Sequence, residues 1–285
     1  MKLLKTISIL AAITFATNVG FAQEKIGDIV KAGDTAYMLV REFNTPEQND
    51  TFQRNLEIMR RHAKLIDVAK AKLAEEKDES KKSDIAAKLK QIENEFDVND
   101  KAMQKAYAFA SNRNYRIIYL ESNICAPLTR EELSSLTSAD GKELDPLKIS
   151  EKNGVSLYRQ CTISGTRENE ELQRQIGYSF ARKNEIESER QKLSKTTDAQ
   201  EQLRISQNIV NSEKALQQNE ENLRKKYNIK PKSEYVVEIV KSKLYLILTS
   251  EELIKIQAQQ AVESKQSPAK QTQVSTSSQA TADKK

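Results

Sequence analysis

Apolar residues recur at alternating spacings of four and three along two long stretches of the chain that contain almost no Gly or Pro. In the first stretch this seam runs from Phe52 to Leu73 and, after a polar segment, resumes from Ile85 to Ala106. Such spacing is typical of a coiled-coil seam rather than of the broader apolar face of a globular helix. Two seamed helices joined by a short polar turn predict an antiparallel coiled-coil hairpin at about residues 47–112.

The second stretch keeps the same register and predicts another hairpin at about residues 166–230. Asn99 and Asn219 occupy equivalent positions of the two seams, where an asparagine can fix the register at a cost in stability. A polar position at the edge of each seam is the alternative. The second seam is interrupted by Ser179, Lys183, Arg190 and Ser212. We therefore expect the second hairpin to be less stable, or else to pack other apolar residues elsewhere, namely Tyr178, Phe180 and Val210.

Each hairpin is followed by a stretch that predicts β structure. Residues Tyr115–Leu133 align without a gap on Tyr235–Leu253 at an offset of 120, with seven of nineteen positions identical. Their β-branched and aromatic content is typical of strands. Polar residues at 121–123 and 241–243 indicate a turn in each copy, so that each stretch would form a strand pair.

Both copies of this stretch end in a T-x-x-E sequence, the pattern of a helix capping box. Thr129 with Glu132 and Thr249 with Glu252 are the predicted pairs. In such a box the threonine side chain accepts a hydrogen bond from a backbone N–H, and the glutamate reaches back to the N–H of the threonine. The boxes predict two short helices, each beginning directly after its threonine.

A further matched pair, Gly33–Phe43 and Gly154–Ser164, predicts a strand ahead of each hairpin. The chain therefore has the pattern of a tandem duplication of a strand, a coiled-coil hairpin, a strand pair and a short helix. The predicted fold class is α+β, mostly helical, with two such repeats sharing a small β body. The predicted domains are a signal peptide at 1–22, repeat 1 at 23–137, a linker at 138–153, repeat 2 at 154–258 and a disordered tail at 259–285.

The first 22 residues have the pattern of a secretory signal peptide. Lys2 and Lys5 precede an apolar run at 7–15, and small residues follow up to the expected cleavage before Gln23. An uncleaved anchor is the alternative, although the run is short for a membrane span. No later run of eighteen apolar residues occurs in the sequence, so we expect no transmembrane segment in the mature chain. The predicted location is the periplasm of a Gram-negative-type bacterium, with secretion as the alternative.

Charged residues are balanced and mixed along the chain, with 46 Lys and Arg against 41 Asp and Glu and a net charge of +5. No basic run with interleaved aromatic residues occurs, so nucleic acid is not an expected partner. His62 is the single histidine, and the sequence contains neither a metal-ligand spacing nor a glycine-rich phosphate-binding motif. We expect a protein that is not an enzyme and that holds no cofactor or metal.

Two cysteines, Cys125 and Cys161, lie in predicted strands of the two repeats. In an exported chain a disulfide between them is the expectation, and it would tie the repeats together across the linker. Two buried thiols are the alternative. A redox-active pair is disfavoured because the C-x-x-C spacing is missing.

Tyrosines gather in the same predicted strands. They are Tyr37, Tyr115, Tyr119, Tyr158, Tyr235 and Tyr245. Packing inside the β body is their expected role, and a peptide-binding surface is the alternative.

In the order of its elements the chain resembles the Skp/OmpH family of periplasmic chaperones. The segments that carry the resemblance are AYMLV (36–40), the two seamed arms, YVVEIVKSKLYLIL (235–248) and TSEELIKI (249–256). The resemblance implies a trimeric body whose helical arms hold unfolded outer-membrane proteins, although two repeats in one chain depart from a simple trimer. A hairpin inserted into a β domain is also similar to the layout of periplasmic adaptors of efflux and secretion systems.

We therefore expect an exported, non-enzymatic protein-binding protein, a holdase-type periplasmic chaperone for unfolded envelope proteins. A structural or adaptor coiled-coil protein of the cell envelope is the alternative. The expected partners are other proteins, either unfolded clients or envelope components, and a homo-oligomer is compatible with the sequence.

Overall fold

The computed structural model of the chain describes residues 24–229 and 234–266. The predicted signal peptide and residues 267–285 of the predicted tail lie outside this described part. The fold is α+β, as the sequence predicts, with a six-stranded antiparallel sheet and long helices. The contacts divide the chain into two compact units at Leu248, and the helix that follows is described by itself.

Elements of the described chain follow the order β-β-α-α-β-α, and this order occurs twice. The strands are β1 (Ile29–Ala32), β2 (Thr35–Phe43), β3 (Tyr115–Pro127), β4 (Ile149–Lys152), β5 (Val155–Ser164) and β6 (Val236–Leu248). The helices are α1 (Pro46–Glu75), α2 (Glu79–Tyr107), α3 (Arg130–Ser135), α4 (Thr166–Leu193), α5 (Ala199–Lys226) and α6 (Ser250–Gln266). A short 3-10 helix, Pro146–Lys148, precedes β4.

The strands of the two copies are interleaved in the sheet. Its order is β1-β2-β6-β3-β5-β4, so the closing strand of each copy lies beside an opening strand of the other. The closing strands β3 and β6 pair antiparallel at the centre, with Arg116 opposite Tyr245 and Cys125 opposite Val236. At the offset of 120, residue 116 of β3 corresponds to residue 236 of β6, and residue 125 of β3 corresponds to residue 245 of β6. The pair 116–245 is therefore equivalent to the pair 236–125, and the register is symmetric between the two strands. Each half of the sheet therefore requires a strand from the other copy.

The first hairpin consists of α1 and α2, which bury their apolar faces against each other. Thr45 caps α1 by accepting a hydrogen bond from the Gln48 N–H, and Asp78 caps α2. Helices of 30 and 29 residues are about 45 Å long. The buried seam residues are Phe52, Leu56, Met59 and Ile66 on α1 and Leu89, Phe96 and Met103 on α2. Burial of such a side chain contributes roughly 1.5–3 kcal/mol, so the seam holds the arm together.

An aromatic cluster joins this hairpin to the sheet. The Phe52 ring centroid lies 4.9 Å from that of Phe43 and 5.9 Å from that of Phe109. Phe109 stacks on Tyr115 with a centroid distance of 4.5 Å. The equivalent cluster of the second hairpin is largely aliphatic and contains Ile163, Leu172, Leu223, Ile229 and Ile124. The two hairpins therefore share a position in the fold but not their packing.

The second hairpin, α4 and α5, has a seam that polar side chains interrupt. Ser179 and Ser212 are buried in it, as the spacing predicts. Nearer the tip, Ile186, Ile205 and Ile209 form a small apolar cluster. Because a buried serine removes little apolar surface from water, the middle of this seam contributes less to stability than the same part of the first hairpin.

Charged residues that the spacing places in the seams are exposed in the structure. Lys70 is 2.9 Å from Glu93, and Arg190 is 2.7 Å from Glu213, measured between the charged groups. Each pair joins the two helices of one hairpin, and the two pairs occupy equivalent positions. Exposed ion pairs contribute at most about 1 kcal/mol each, so they align the helices more than they stabilise them.

Each hairpin is attached by one buried asparagine to the closing strand of the other copy. Asn49 in α1 donates through Nδ2 to the Val240 carbonyl oxygen of β6 at 3.1 Å. At the equivalent place, Asn169 in α4 donates to the Leu120 carbonyl oxygen of β3 at 3.2 Å. The asparagines are 3% and 0% exposed. Loss of either donor would leave buried main-chain oxygens without their partner.

The two attachments differ at one hydrogen bond. In the first, Ser242 donates through Oγ to Asn49 Oδ1 at 2.5 Å. In the second, the equivalent atoms, Ser122 Oγ and Asn169 Oδ1, have no hydrogen-bond partner within the described ranges. Within the described residues, the second attachment therefore lacks the hydrogen bond that joins the serine to the asparagine in the first.

The predicted linker at 138–153 is wrong at its C-terminal end, because it contains β4. This strand pairs antiparallel with β5, with Lys152 opposite Val155. Asn153 and Gly154 between them have φ of 52° and 76°, which a two-residue type I′ hairpin turn requires. The Asn-Gly pair is the sequence signal for this turn, so the second copy begins before Gly154.

The closing strands and the last helix also differ from expectation. β3 and β6 are single strands of 13 residues each, not strand pairs. The register shifts between Tyr119 and Ser122 are a β-bulge, which bends a strand without ending it. Helix α6 continues to Gln266, past the predicted start of the tail at 259, because the Ala, Gln, Glu and Lys residues there favour a helix.

Removal of either buried amide, in N49A or N169A, should lower the free energy of unfolding by about 1–3 kcal/mol, because buried carbonyl oxygens lose their donor. N184A changes an exposed asparagine of α4 and is the control, expected within about 0.5 kcal/mol of wild type. Urea unfolding followed by circular dichroism measures these differences. Equal effects of N49A and N184A would contradict the role of the buried amide.

Candidate functional site

The predicted seam asparagines lie between the helices of their hairpins. Asn99 Nδ2 is 3.4 Å from His62 Nδ1. Asn219 donates through Nδ2 to the Gln175 carbonyl oxygen at 3.0 Å and to Ser179 Oγ at 2.9 Å. Each asparagine thus contacts a polar atom on the other helix, an arrangement that fixes the register of a seam.

The two predicted capping boxes are present. Thr129 accepts a hydrogen bond from the Glu132 N–H, and the Glu132 carboxylate accepts one from the Thr129 N–H at 2.9 Å. Thr249 and Glu252 form the same two bonds, at 3.3 and 2.9 Å. These residues begin helices α3 and α6, and Glu132 also accepts a hydrogen bond from the Ala139 N–H at 2.9 Å.

The predicted disulfide between Cys125 and Cys161 is wrong, and both thiols are free. The cysteines lie in paired strands, but Cys161 is opposite Ile124 and packs in the same apolar cluster. Successive side chains of a strand point to opposite faces, so Cys125 points away from Cys161. The Cys125 thiol donates instead to Glu238 Oε2 of β6 at 3.3 Å.

Burial keeps both thiols protonated near neutral pH. Cys125 is 0% exposed, and burial together with the neighbouring Glu238 carboxylate raises its pKa to about 12. Burial also raises the pKa of Cys161. Since the thiolate is the reactive form of cysteine, this geometry is typical of packing residues rather than of nucleophiles.

Several large apolar side chains are exposed on the hairpins. They are Ile58, Leu65, Val68 and Val98 on the first and Tyr178, Phe180, Leu203 and Val210 on the second. Tyr178, Phe180 and Val210 are therefore not buried elsewhere in place of the missing seam residues. Single exposed apolar residues are ordinary in proteins, so those that adjoin a concave surface are the stronger indication of a binding site. Phe180, which is 66% exposed, meets this condition.

A groove beside Phe180 lies between the base of the second hairpin and the ends of β3 and β6. Its volume is about 570 Å³, within the range of ligand clefts. Its apolar lining consists of Pro127, Ile176, Phe180, Tyr235, Val236 and Val237, and its polar lining of Ser179, Lys183, Glu220, Arg224 and Glu234. Tyr235 therefore lines a surface groove in addition to packing against the core of the β body. We call this surface the Phe180 groove.

Three of the four charged side chains that line the Phe180 groove contact other groups of the protein. Lys183 Nζ is 3.1 Å from the Glu220 carboxylate. The Arg224 guanidinium lies 5.3 Å from the centroid of the Tyr235 ring, a cation–π contact. Burial raises the pKa of the Tyr235 hydroxyl, which is therefore uncharged at neutral pH. The groove combines an apolar lining with positive and negative charges that are equal in number.

The equivalent place on the first hairpin has a different lining. At the offset of 120, Ser179 corresponds to Met59 and Phe180 to Arg60. Met59 is 0% exposed, and its long side chain occupies the seam position that a serine fills only in part. The two hairpins therefore carry different side chains at the α4 positions that border the Phe180 groove and at their α1 equivalents.

A second cavity, of about 670 Å³, adjoins the Phe180 groove and shares Pro127 and Glu234 with it. Tyr158 and Gln160 of β5 line it, together with Leu144 of the loop that follows α3. The Gln160 Oε1 atom is buried without a hydrogen-bond partner in the part of the chain that the structure describes. The sequence places this loop in a linker and carries no signal of a cavity.

Comparisons of this chain with known proteins give no match from which a function could be inferred. No family model matches the sequence, and searches of curated proteins and of solved structures give no match. Within residues 24–229 and 234–266, no group of three or more His, Cys, Asp or Glu is placed to hold a metal ion. None of the described helices is long and apolar enough to cross a membrane.

Without reductant, unfolded protein should titrate with two free thiols per chain, because Cys125 and Cys161 point to opposite faces of the sheet. In the native protein at pH 8, a thiol reagent should modify the half-buried Cys161 before the fully buried Cys125. Peptide mapping by mass spectrometry identifies the modified residue, and a C161S variant is the control. A disulfide-linked peptide containing both cysteines would contradict the structure.

The raised pKa of Cys125 predicts a loss of stability at alkaline pH. The thiol has a pKa near 9.0 in an unfolded chain and about 12 in the fold, so the folded state binds more protons between these values. Its contribution is complete below the unfolded pKa and is lost as the pH rises through the folded pKa. Urea unfolding between pH 8 and pH 11 should show a steeper decline for wild type than for C125A. Equal slopes would be the contrary result.

Proposed function

We propose that the protein is an exported, non-enzymatic protein-binding protein, a holdase-type periplasmic chaperone for unfolded envelope proteins. The observation that carries the proposal is the presence of exposed apolar side chains on both helical hairpins. A holdase needs apolar surface that its own fold does not bury and that a non-native chain can reach. Side chains such as Leu65 and Val98 on the first hairpin and Phe180 on the second have this exposure.

The charges of the arms support binding through apolar contacts. Lys70 and Glu93 pair across the first hairpin, and Arg190 and Glu213 pair across the second. Paired charges attract a charged partner weakly, because each is already partly compensated at short range. A client would therefore be selected by its exposed apolar segments and not by its net charge.

The surroundings of the nucleophilic side chains support a role without catalysis. Cys125 is fully buried with its pKa raised to about 12, and burial also raises the pKa of Cys161. His62 lies at the seam within 3.4 Å of Asn99, outside the Phe180 groove and the adjoining cavity. Cys125 and His62 therefore lie outside both concave surfaces, and Cys161, which lines the adjoining cavity, is kept protonated by burial.

The proposal predicts that the mature chain, in molar excess, suppresses aggregation of a urea-unfolded β-barrel outer-membrane protein on dilution, as measured by light scattering. Replacing Leu65, Val68 and Val98 by serine should weaken suppression several-fold, because apolar contact area is lost. The fold should tolerate these changes, since all three residues are exposed.

The matched control replaces three exposed charged neighbours, Lys64, Asp67 and Asp97, by serine. This variant should suppress aggregation as wild type does. Absence of suppression by wild type at molar excess would overturn the chaperone role. Equal loss of suppression in both triple variants would overturn the apolar basis of binding.

A further inference from the structure

We propose that the Phe180 groove binds an uncharged, extended apolar segment of another polypeptide and takes one of its large apolar side chains between Phe180 and Tyr235. The inference rests on the proposed function and assigns its principal contact site to the second hairpin. Three observations carry it: the lining of the groove, the state of its charges, and the different lining of the same place on the first hairpin.

The apolar lining of the Phe180 groove combines an exposed side chain, Phe180, with side chains that are held by packing. Phe180 is 66% exposed and projects from α4, so its ring is accessible to a partner. Tyr235 and Val237, which also line the groove, pack into the apolar cluster of the β body, which holds them in place. Aromatic side chains on a rigid support are typical of the residues that contribute most to binding. A side chain entering the groove would contact both the exposed ring and the packed side chains.

The charges favour an uncharged occupant. Lys183 and Arg224 balance Glu220 and Glu234 among the lining residues. Lys183 already contacts the Glu220 carboxylate, and Arg224 already contacts the Tyr235 ring. A charged side chain entering the groove would lose its hydration without meeting an excess of opposite charge, which is unfavourable. The occupant that fits this charge balance is therefore apolar and without formal charge.

The first hairpin serves as an internal comparison. Its equivalent of Phe180 is Arg60, whose charge would oppose burial of an apolar partner, and its equivalent of Ser179 is the fully buried Met59. The position that a serine occupies in the second hairpin is thus filled by a fully buried methionine in the first. We therefore assign the concave site for an apolar side chain to the second hairpin.

The test compares two exposed aromatic residues of one helix. F180S removes the accessible wall of the groove. Y178S is the control, because residues two apart on a helix point to nearly opposite sides and Tyr178 does not line the groove. Both residues are exposed, so neither change should unfold the protein, and circular dichroism verifies this.

The probe is an end-blocked, fluorescently labelled nonapeptide of alternating Thr and Val with a central Phe. Wild type and Y178S should bind it with equal affinity, and F180S should bind it about tenfold more weakly. Replacing the central Phe of the probe by Glu or Ser should reduce binding to wild type by a similar factor. Equal binding by F180S and Y178S, or preference for the Glu probe, would overturn the inference.

The outcomes separate this inference from the proposed function. If F180S retains wild-type suppression of aggregation and wild-type peptide affinity, the groove is not the contact site and the chaperone role stands. If peptide binding depends on Phe180 but the chain does not suppress aggregation, the groove stands and the chaperone role falls. If wild type neither binds the probe nor suppresses aggregation, both are wrong.

Discussion

The pairing of each closing strand with the opposite copy is the constraint on which the rest of the structure depends. Because β6 lies beside β2 and β3 lies beside β5, each hairpin rises from a half-sheet that both copies build. Asn49 and Asn169 complete this exchange by donating hydrogen bonds from their helices to the closing strand of the other copy. The copies are therefore one cooperative body, and a packing change in either closing strand reaches both hairpins.

Within this shared body the two hairpins differ in how well they are packed. The first hairpin has an aromatic base, large apolar side chains such as Met59 buried in its seam, and a serine that completes the Asn49 attachment. The second has buried serines in its seam and two unpartnered polar atoms at its attachment, in the described part of the chain. The better packed hairpin stabilises the scaffold, and the less densely packed one carries the Phe180 groove. This division explains how a binding surface can be added without loss of the fold.

Local patterns in the sequence predict the local structure well. The heptad spacing identifies both hairpins, and the T-x-x-E sequences identify the starts of α3 and α6. The strand order depends on which strands pair and in which register, and so does whether Cys125 and Cys161 can form a disulfide. The spacing of residues along the chain does not specify this pairing. The Asn153-Gly154 turn was the available signal for β4. The Phe180 groove was not predictable, because it depends on how β6 and α4 meet in space.

The central claim is that one concave surface of the second hairpin contacts non-native polypeptide through Phe180. The most direct test places a photoreactive phenylalanine analogue at position 180 or, separately, at position 178 of the full chain. The chain is then irradiated in the presence of an unfolded outer-membrane protein, and the crosslinks are mapped by mass spectrometry. The account predicts strong crosslinks from position 180, on apolar segments of the client, and weak ones from position 178. Equal crosslinking from both positions, or none from position 180, would contradict it.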